Sequence, residues 1–282
     1  MKSVFFASAT VALVAASASA DTVLSSCNFN SPGFTLGALA ADPTGVVAGQ
    51  GGWYTYTAGL GGSTNWTIAN DPAAGGTRGQ VLATTAGTTA TGNNSTRFAW
   101  TDDIANASRP ASETFIACTY DFYVGGSATS TNRYGAYMYD ASGSKILAGA
   151  TVQNNTGQLY VVGNYNNAGT IGNFAFSTGT SGILARNTWY TLAVTFDMVT
   201  GRFQAGYSTD GGATFNLFFV NGAAAGTAVA ELDLIGSVNS GTAVQGGTTG
   251  YYDNIQVTSS PAPGALALLG VAGLAGARRR RA

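Results

Sequence analysis

From Asp21 to Ser259 the chain is dominated by short segments whose hydrophobic residues recur at every second position, separated by clusters of Gly, Asn, Ser and Thr. A period of two sends successive side chains to opposite faces, which is the pattern of strands with one buried face and one wet face. Glu113 to Val124 (ETFIACTYDFYV) puts Cys118, Tyr120, Phe122 and Val124 on one face. Asn187 to Asp197 (NTWYTLAVTFD) turns Tyr190, Leu192, Val194 and Phe196 toward a core. The same reading predicts strands within 133–140, 145–153, 159–165, 202–208, 215–221, 230–238 and 251–258. Strands this numerous, with turn clusters between them and no amphipathic helix, define an all-β sandwich or jelly roll. The 282 residues could fill one large β domain or two ordinary ones, and no linker with a shift of composition interrupts them. One domain over 21–259 is therefore expected.

Composition sharpens this reading. Charged residues make up 9% of the chain, against about 25% in an ordinary soluble domain. Low charge suits strands with broad Thr, Ser and Asn faces that hydrogen-bond across the sheet. The 14 Phe, 13 Tyr and 4 Trp provide enough bulk for a real core. Histidine is absent, which removes Ser-His-Asp and Cys-His nucleophile systems and every His-ligated zinc site.

Both ends read as addresses. Lys2, an apolar run from Val4 to Ala16 and an A-x-A site at Ala18-Ser19-Ala20 have the layout of a signal peptide over residues 1–20. At the other end, over 260–282, Pro261-Ala262-Pro263 precedes an apolar stretch from Gly264 to Ala277, then Arg278, Arg279, Arg280 and Arg281. As a helix that stretch spans about 21 Å, short of the ~30 Å hydrocarbon core, so it is a marginal permanent anchor. The arginines would stay on the cytoplasmic side. This order of proline motif, short apolar helix and arginine cluster resembles the PEP-CTERM sorting signal of exported bacterial proteins, with Ala262 standing where that family has its name-giving Glu. The resemblance implies export, a transient tether in the inner membrane, and processing by an exosortase-type partner before release to the cell surface or matrix.

Seven of the basic residues and all 13 acidic ones lie in 21–260, so the body carries a formal charge of −6. That excludes a nucleic-acid binder. It also disfavours anionic glycans over neutral ones. Cys27 and Cys118, the only cysteines, leave two readings open: a disulfide closing a long loop in an oxidising compartment, or two buried thiols.

The stretches D-F-Y-V (121–124), R-Y-G-A-Y-M-Y-D (133–140), N-T-W-Y-T-L (187–192), F-D-M-V-T-G (196–201) and Y-Y-D-N-I-Q-V (251–257), with G-Q-G-G-W ending at Trp53, resemble a laminin-G-like, concanavalin A-like jelly roll. The resemblance implies two curved antiparallel sheets, a frequent structural calcium, and sugar binding on the concave face in some members. Asp253 matches the terminal-strand Asp that holds the calcium in similar jelly rolls, with Asn28 and Asn30 expected beside it; the alternative is a metal-free turn around Asp253. The aromatics suited to stacking on sugar rings are Trp53, Tyr56, Trp66, Tyr137, Tyr139 and Tyr165, although most aromatics in a sandwich belong to its core.

Glycanases of this fold carry a carboxylate pair on one strand, spelled E-x-D-x-x-E. No stretch carries the full motif, and the only glutamates are Glu113 and Glu231. A lyase would need a Tyr with a neutralising Arg or His, and Tyr137 or Tyr139 near Arg133 is the one loose analogue. Ser208 to Phe215 (STDGGATF) resembles the Asp box of sialidases, a turn motif that implies structure rather than chemistry. The expectation is thus a non-catalytic cell-surface or matrix protein with polysaccharide as its ligand. A glycan-active hydrolase or lyase on the same fold, or a surface-layer component, is the alternative.

Overall fold

The computed structural model describes residues 9–11, 21–57, 66–85, 96–125, 129–238 and 248–261. Of the residues read as a signal peptide, all but 9–11, and of those read as a sorting signal, Pro263 and Arg278 to Arg281, lie outside the described residues. The strands run β1 (Ala9–Val11), β2 (Thr22–Cys27), β3 (Gly37–Ala38), β4 (Tyr54–Thr57), β5 (Trp66–Asn70), β6 (Gln80–Thr85), β7 (Thr96–Trp100), β8 (Phe115–Tyr123) and β9 (Arg133–Tyr139). They continue as β10 (Ile146–Gln153), β11 (Leu159–Asn167), β12 (Thr170–Ser177), β13 (Trp189–Asp197), β14 (Arg202–Ser208), β15 (Phe215–Asn221), β16 (Glu231–Ser237) and β17 (Thr249–Ser260). Among the described residues the one α-helix is a single turn, Asp103–Asn106.

Two antiparallel sheets result. The larger has the order β1-β15-β14-β13-β8-β17-β6-β5-β3, with β2 also paired to β17; the smaller has the order β12-β11-β10-β9-β16-β7-β4. Neighbours in each sheet come from distant parts of the chain because the chain crosses between sheets repeatedly, as in a jelly-roll sandwich. Between the sheets lies the core. Cys118, Tyr120, Phe122 and Val124 enter it from one side of β8, and Tyr190, Leu192, Val194 and Phe196 from β13, all 8% exposed or less. The alternating faces expected for these two strands are the observed ones.

Tyr252 on β17 shows how the sheets are joined. Its buried hydroxyl donates to the Ile235 carbonyl at 2.6 Å and accepts the Gly135 N–H at 2.9 Å, both in the opposite sheet. A buried phenol needs such partners to offset its desolvation. The ends of the body are closed by a buried carboxylate: Glu113 accepts from Thr22 Oγ1 at 3.1 Å and from Ser259 Oγ at 2.5 Å.

The disulfide does not form, and the topology explains why. Cys27 on β2 pairs with Ile255, and Cys118 on β8 pairs with Val257, on opposite edges of β17. Two strand spacings put them about 10 Å apart, beyond the ~7 Å limit between Cα atoms for a bridge. Both are free thiols, and burial pushes Cys27 up to about 12, so it is not a ready nucleophile. The STDGGATF segment is a tight turn, as read. Asp210 accepts from Thr214 N at 3.0 Å and Thr214 Oγ1 at 2.6 Å, while Gly211 and Gly212 adopt φ of 72° and 93°.

Candidate functional site

The outward face of the smaller sheet is built by the residues that alternate with its core positions. On β16, Leu232 and Leu234 enter the core, so Glu231, Asp233 and Ile235 face out. Register then places Glu231 opposite Tyr139 and Asp233 opposite Tyr137 on β9. On β7, Phe98 lies opposite Ile235, and β4 adds Tyr56 opposite Phe98 and Tyr54 opposite Trp100. These rings form a continuous apolar floor: Tyr56 stacks on Phe98 (6.3 Å between centroids), Phe98 meets Tyr139 edge-on (6.5 Å), and Tyr139 meets Tyr137 edge-on (6.1 Å). Two glycines make room. Gly149 lets the Tyr137 ring lie across β10, where a Cβ would collide with it. Gly45, at φ 77°, lets the loop before β4 close against Trp100, whose ring a Cβ would meet at 2.6 Å.

The result is a hollow of about 210 Å³ lined by Tyr56, Phe98, Trp100, Tyr139, Gly143, Glu231 and Asp233. Tyr56 at its rim is 42% exposed, whereas Asp233 at its base is 6% exposed. Burial first, then the adjacent Glu231 carboxyl within hydrogen-bond reach, push Asp233 well above the ordinary carboxylate range. Asp233 therefore keeps its proton to higher pH than a free carboxyl, because burial and a neighbouring acid both disfavour its ionised form. Asp233 Oδ1 has no hydrogen-bond partner. Tyr137 and Tyr139 are also pushed up, chiefly by burial, Tyr137 to about 12. Neither phenol is a ready base near neutrality.

This pair was missed in the sequence, although its signal is there. Glu231-Leu232-Asp233 supplies the E-x-D of the glycanase spelling, and Gly236 stands where the second Glu belongs. Searching for two glutamates hid a Glu–Asp pair at alternate positions of one strand. The expectation of a non-catalytic protein rested on that missing pair and is corrected here.

The remaining sugar-binding expectations divide cleanly. Tyr56, Tyr137 and Tyr139 meet in the groove. Trp53 and Trp66 are 4% and 1% exposed and belong to the core, Trp66 against Tyr252. Tyr165 turns inward and packs edge-on against Phe174 and Phe176. The two buried tryptophans offer no sugar-stacking face, and the half-buried Tyr165 lies away from the groove.

Asp253, Asn28 and Asn30 do converge, on the larger sheet, but the cation beside them is an arginine. Arg78 pairs with Asp121 and lies 3.8 Å from Asp253 Oδ2. The side-chain oxygen of Asn28 accepts the Asn30 N–H at 2.9 Å, and that of Asn30 accepts the Gln80 N–H at 2.7 Å. Among the described residues no group of three His, Cys, Asp or Glu is placed to hold a metal ion. With its amide oxygens spent on backbone and a guanidinium alongside, this set does not fit calcium.

No protein-family model matches the chain, and no curated protein sequence matches it. Solved structures of similar shape do exist. An alginate lyase from a Chlorella virus covers 75% of this chain and 94% of its own at 8% identity, with a TM-score of 0.49. The catalytic domain of a glycoside hydrolase family 131 protein from Coprinopsis cinerea covers 85% and 95% at 13% identity, TM-score 0.49. A cellulose-induced protein covers 78% and 96% at 12% identity, TM-score 0.49.

Proposed function

We propose that the protein is a glycan-active enzyme whose site is the aromatic groove on the outward face of the smaller sheet. The observation that carries this reading is the Glu231–Asp233 pair at the base of the groove, holding a proton beneath exposed aromatic edges. Sugar rings stack on Tyr56 and Tyr137, and the glycosidic oxygen sits over the pair. Asp233 gives its proton to the leaving oxygen as the C–O bond breaks, and the ionised pair then takes a proton from the water that adds to the oxocarbenium-like carbon from the same side, so the pair regains its proton. Side by side on one strand, the two carboxyls are closer than the ~5–5.5 Å or ~6.5–9.5 Å of the two usual glycosidase geometries, so departure and attack take place on one face of the ring. Elimination is less well supported, since it would ask Tyr137 or Tyr139 to act as a base. Delivery outside the cytosol through the two terminal segments belongs to the same proposal.

The test is to incubate purified protein with a panel of polysaccharides and measure both new reducing ends and unsaturated products. New reducing ends without unsaturation, lost in Asp233→Asn and in Glu231→Gln while binding persists, are expected. Cleavage that survives both substitutions would refute the assignment of the site, and unsaturated products would replace hydrolysis with elimination.

A further inference from the structure

The outward face of the smaller sheet continues past the hollow that holds the acid pair. Farther along β9 the same outward face carries Arg133, four residues from Tyr137 and so about 13 Å away along the strand. Its guanidinium lies over the Tyr160 ring at 3.8 Å. Tyr160 is held in turn by a hydrogen bond from its hydroxyl to Gln153 Oε1 at 3.3 Å. Among the described residues Arg133 forms no salt bridge, and its Nε is buried without a partner. Nor can a carboxylate come from elsewhere in the body: residues 58–65, 86–95, 126–128 and 239–247 contain no Asp or Glu. Thr151 lies in the adjacent cross-strand row, opposite Gly135 on one side and Tyr160 on the other. Its hydroxyl is fully buried and also has no partner.

We propose that this end of the groove is an anion subsite, in which Arg133 holds an acidic substituent of the glycan and so selects an acidic polysaccharide. The inference rests on the groove being the glycan site and adds the class of substrate. A guanidinium pinned on an aromatic ring presents its remaining N–H groups as a fixed fork, a geometry matched to carboxylate or sulfate oxygens. The net charge of the body opposes acidic polymers in general, so what attraction there is has to be local. Carboxylate and sulfate share the required chemistry, and the experiment separates them.

Binding of the full chain to polygalacturonate, dextran sulfate and unmodified dextran is measured by calorimetry, for the parent and for Arg133→Gln, Arg133→Lys and Arg202→Gln. Arg202, stacked on Phe219 in the other sheet, controls for overall charge. Tighter binding of at least one acidic polymer than of dextran is expected. Arg133→Gln should weaken that binding by on the order of tenfold or more, the worth of one charge-assisted contact, with dextran unaffected. Arg133→Lys, which keeps the charge but loses the fork, should fall between. Which of the two polymers loses more identifies the anion. Equal losses in Arg133→Gln and Arg202→Gln, or dextran bound as tightly as both acidic polymers, would overturn the subsite while leaving the groove intact. No binding of any polymer would remove the groove reading and this inference together.

Discussion

Each outward face of the sandwich holds two carboxyl groups close together, and the two faces treat them differently. On the larger sheet, Asp121 and Asp253 lie opposite one another on β8 and β17 with the Arg78 guanidinium between them. Thr191 Oγ1 donates to Asp121 at 2.6 Å, Asn254 Nδ2 donates to it at 2.8 Å, and Trp189 covers Arg78 at 4.4 Å. On the smaller sheet, Glu231 and Asp233 form no salt bridge among the described residues, and Asp233 is raised by burial first and then by Glu231. Burial raises Asp253 too, but there the Asn254 N–H and the Arg78 charge oppose the shift, whereas at Asp233 the neighbouring carboxyl adds to it.

The largest effect that could break this contrast is expected from Arg78→Ala. Without the guanidinium, two buried acids face each other, and urea unfolding should show a loss of about 3 kcal/mol. An unchanged midpoint would mean that the Asp121–Asp253 pair does not depend on Arg78.

The acid pair should respond to pH in the opposite sense to an ordinary ion-paired carboxylate. Asp233 is raised in the folded protein, so its proton is held there after the unfolded chain has lost its own. Its contribution is complete below about pH 4 and declines as pH rises toward the folded value, by about 1.4 kcal/mol per unit. Asp233→Asn should remove that decline. Stability curves from pH 3 to 8 that coincide for parent and variant would show that Asp233 is not raised.

Tyr56→Ala tests the groove without its chemistry. A rim residue this exposed should change stability by less than about 0.5 kcal/mol while glycan affinity falls. Affinity equal to that of the parent would move the binding face elsewhere. The smallest expected effect is from reduction: with two free thiols on opposite edges of β17, a reducing agent should leave the melting temperature unchanged, and a drop would reveal a bridge.

How far the sequence could be read follows from how strongly each segment alternates. The period-2 pattern found β8, β13, β14 and β15 and oriented the first two correctly, because their apolar residues are large and regularly spaced. It passed over β5, β6, β7 and β12. Trp66–Asn70 and Thr96–Trp100 are only five residues each, Gln80–Thr85 is buried on both faces through four consecutive positions, and Thr170–Ser177 is an exposed edge with small residues between its aromatics. The aromatics were legible as a set but not by face, since Trp53 and Tyr56 are three residues apart and end in different environments. Register is the missing quantity. It brings Tyr139 to Glu231 across 92 positions of chain, and it places β17 between Cys27 and Cys118. Composition alone also argued against an acidic ligand, because a sum over the chain does not show one cation left without a partner.

The claim on which the rest depends is that burial and Glu231 together hold the proton on Asp233 well above the ordinary carboxylate range. Carbon-13 NMR titration of the Asp233 carboxyl measures it directly, in the parent and in Glu231→Gln. The account predicts a carboxyl still protonated well above the ordinary aspartate range, and a lower titration point in Glu231→Gln. An Asp233 that ionises near the unperturbed value of about 3.9, with or without Glu231, would contradict it.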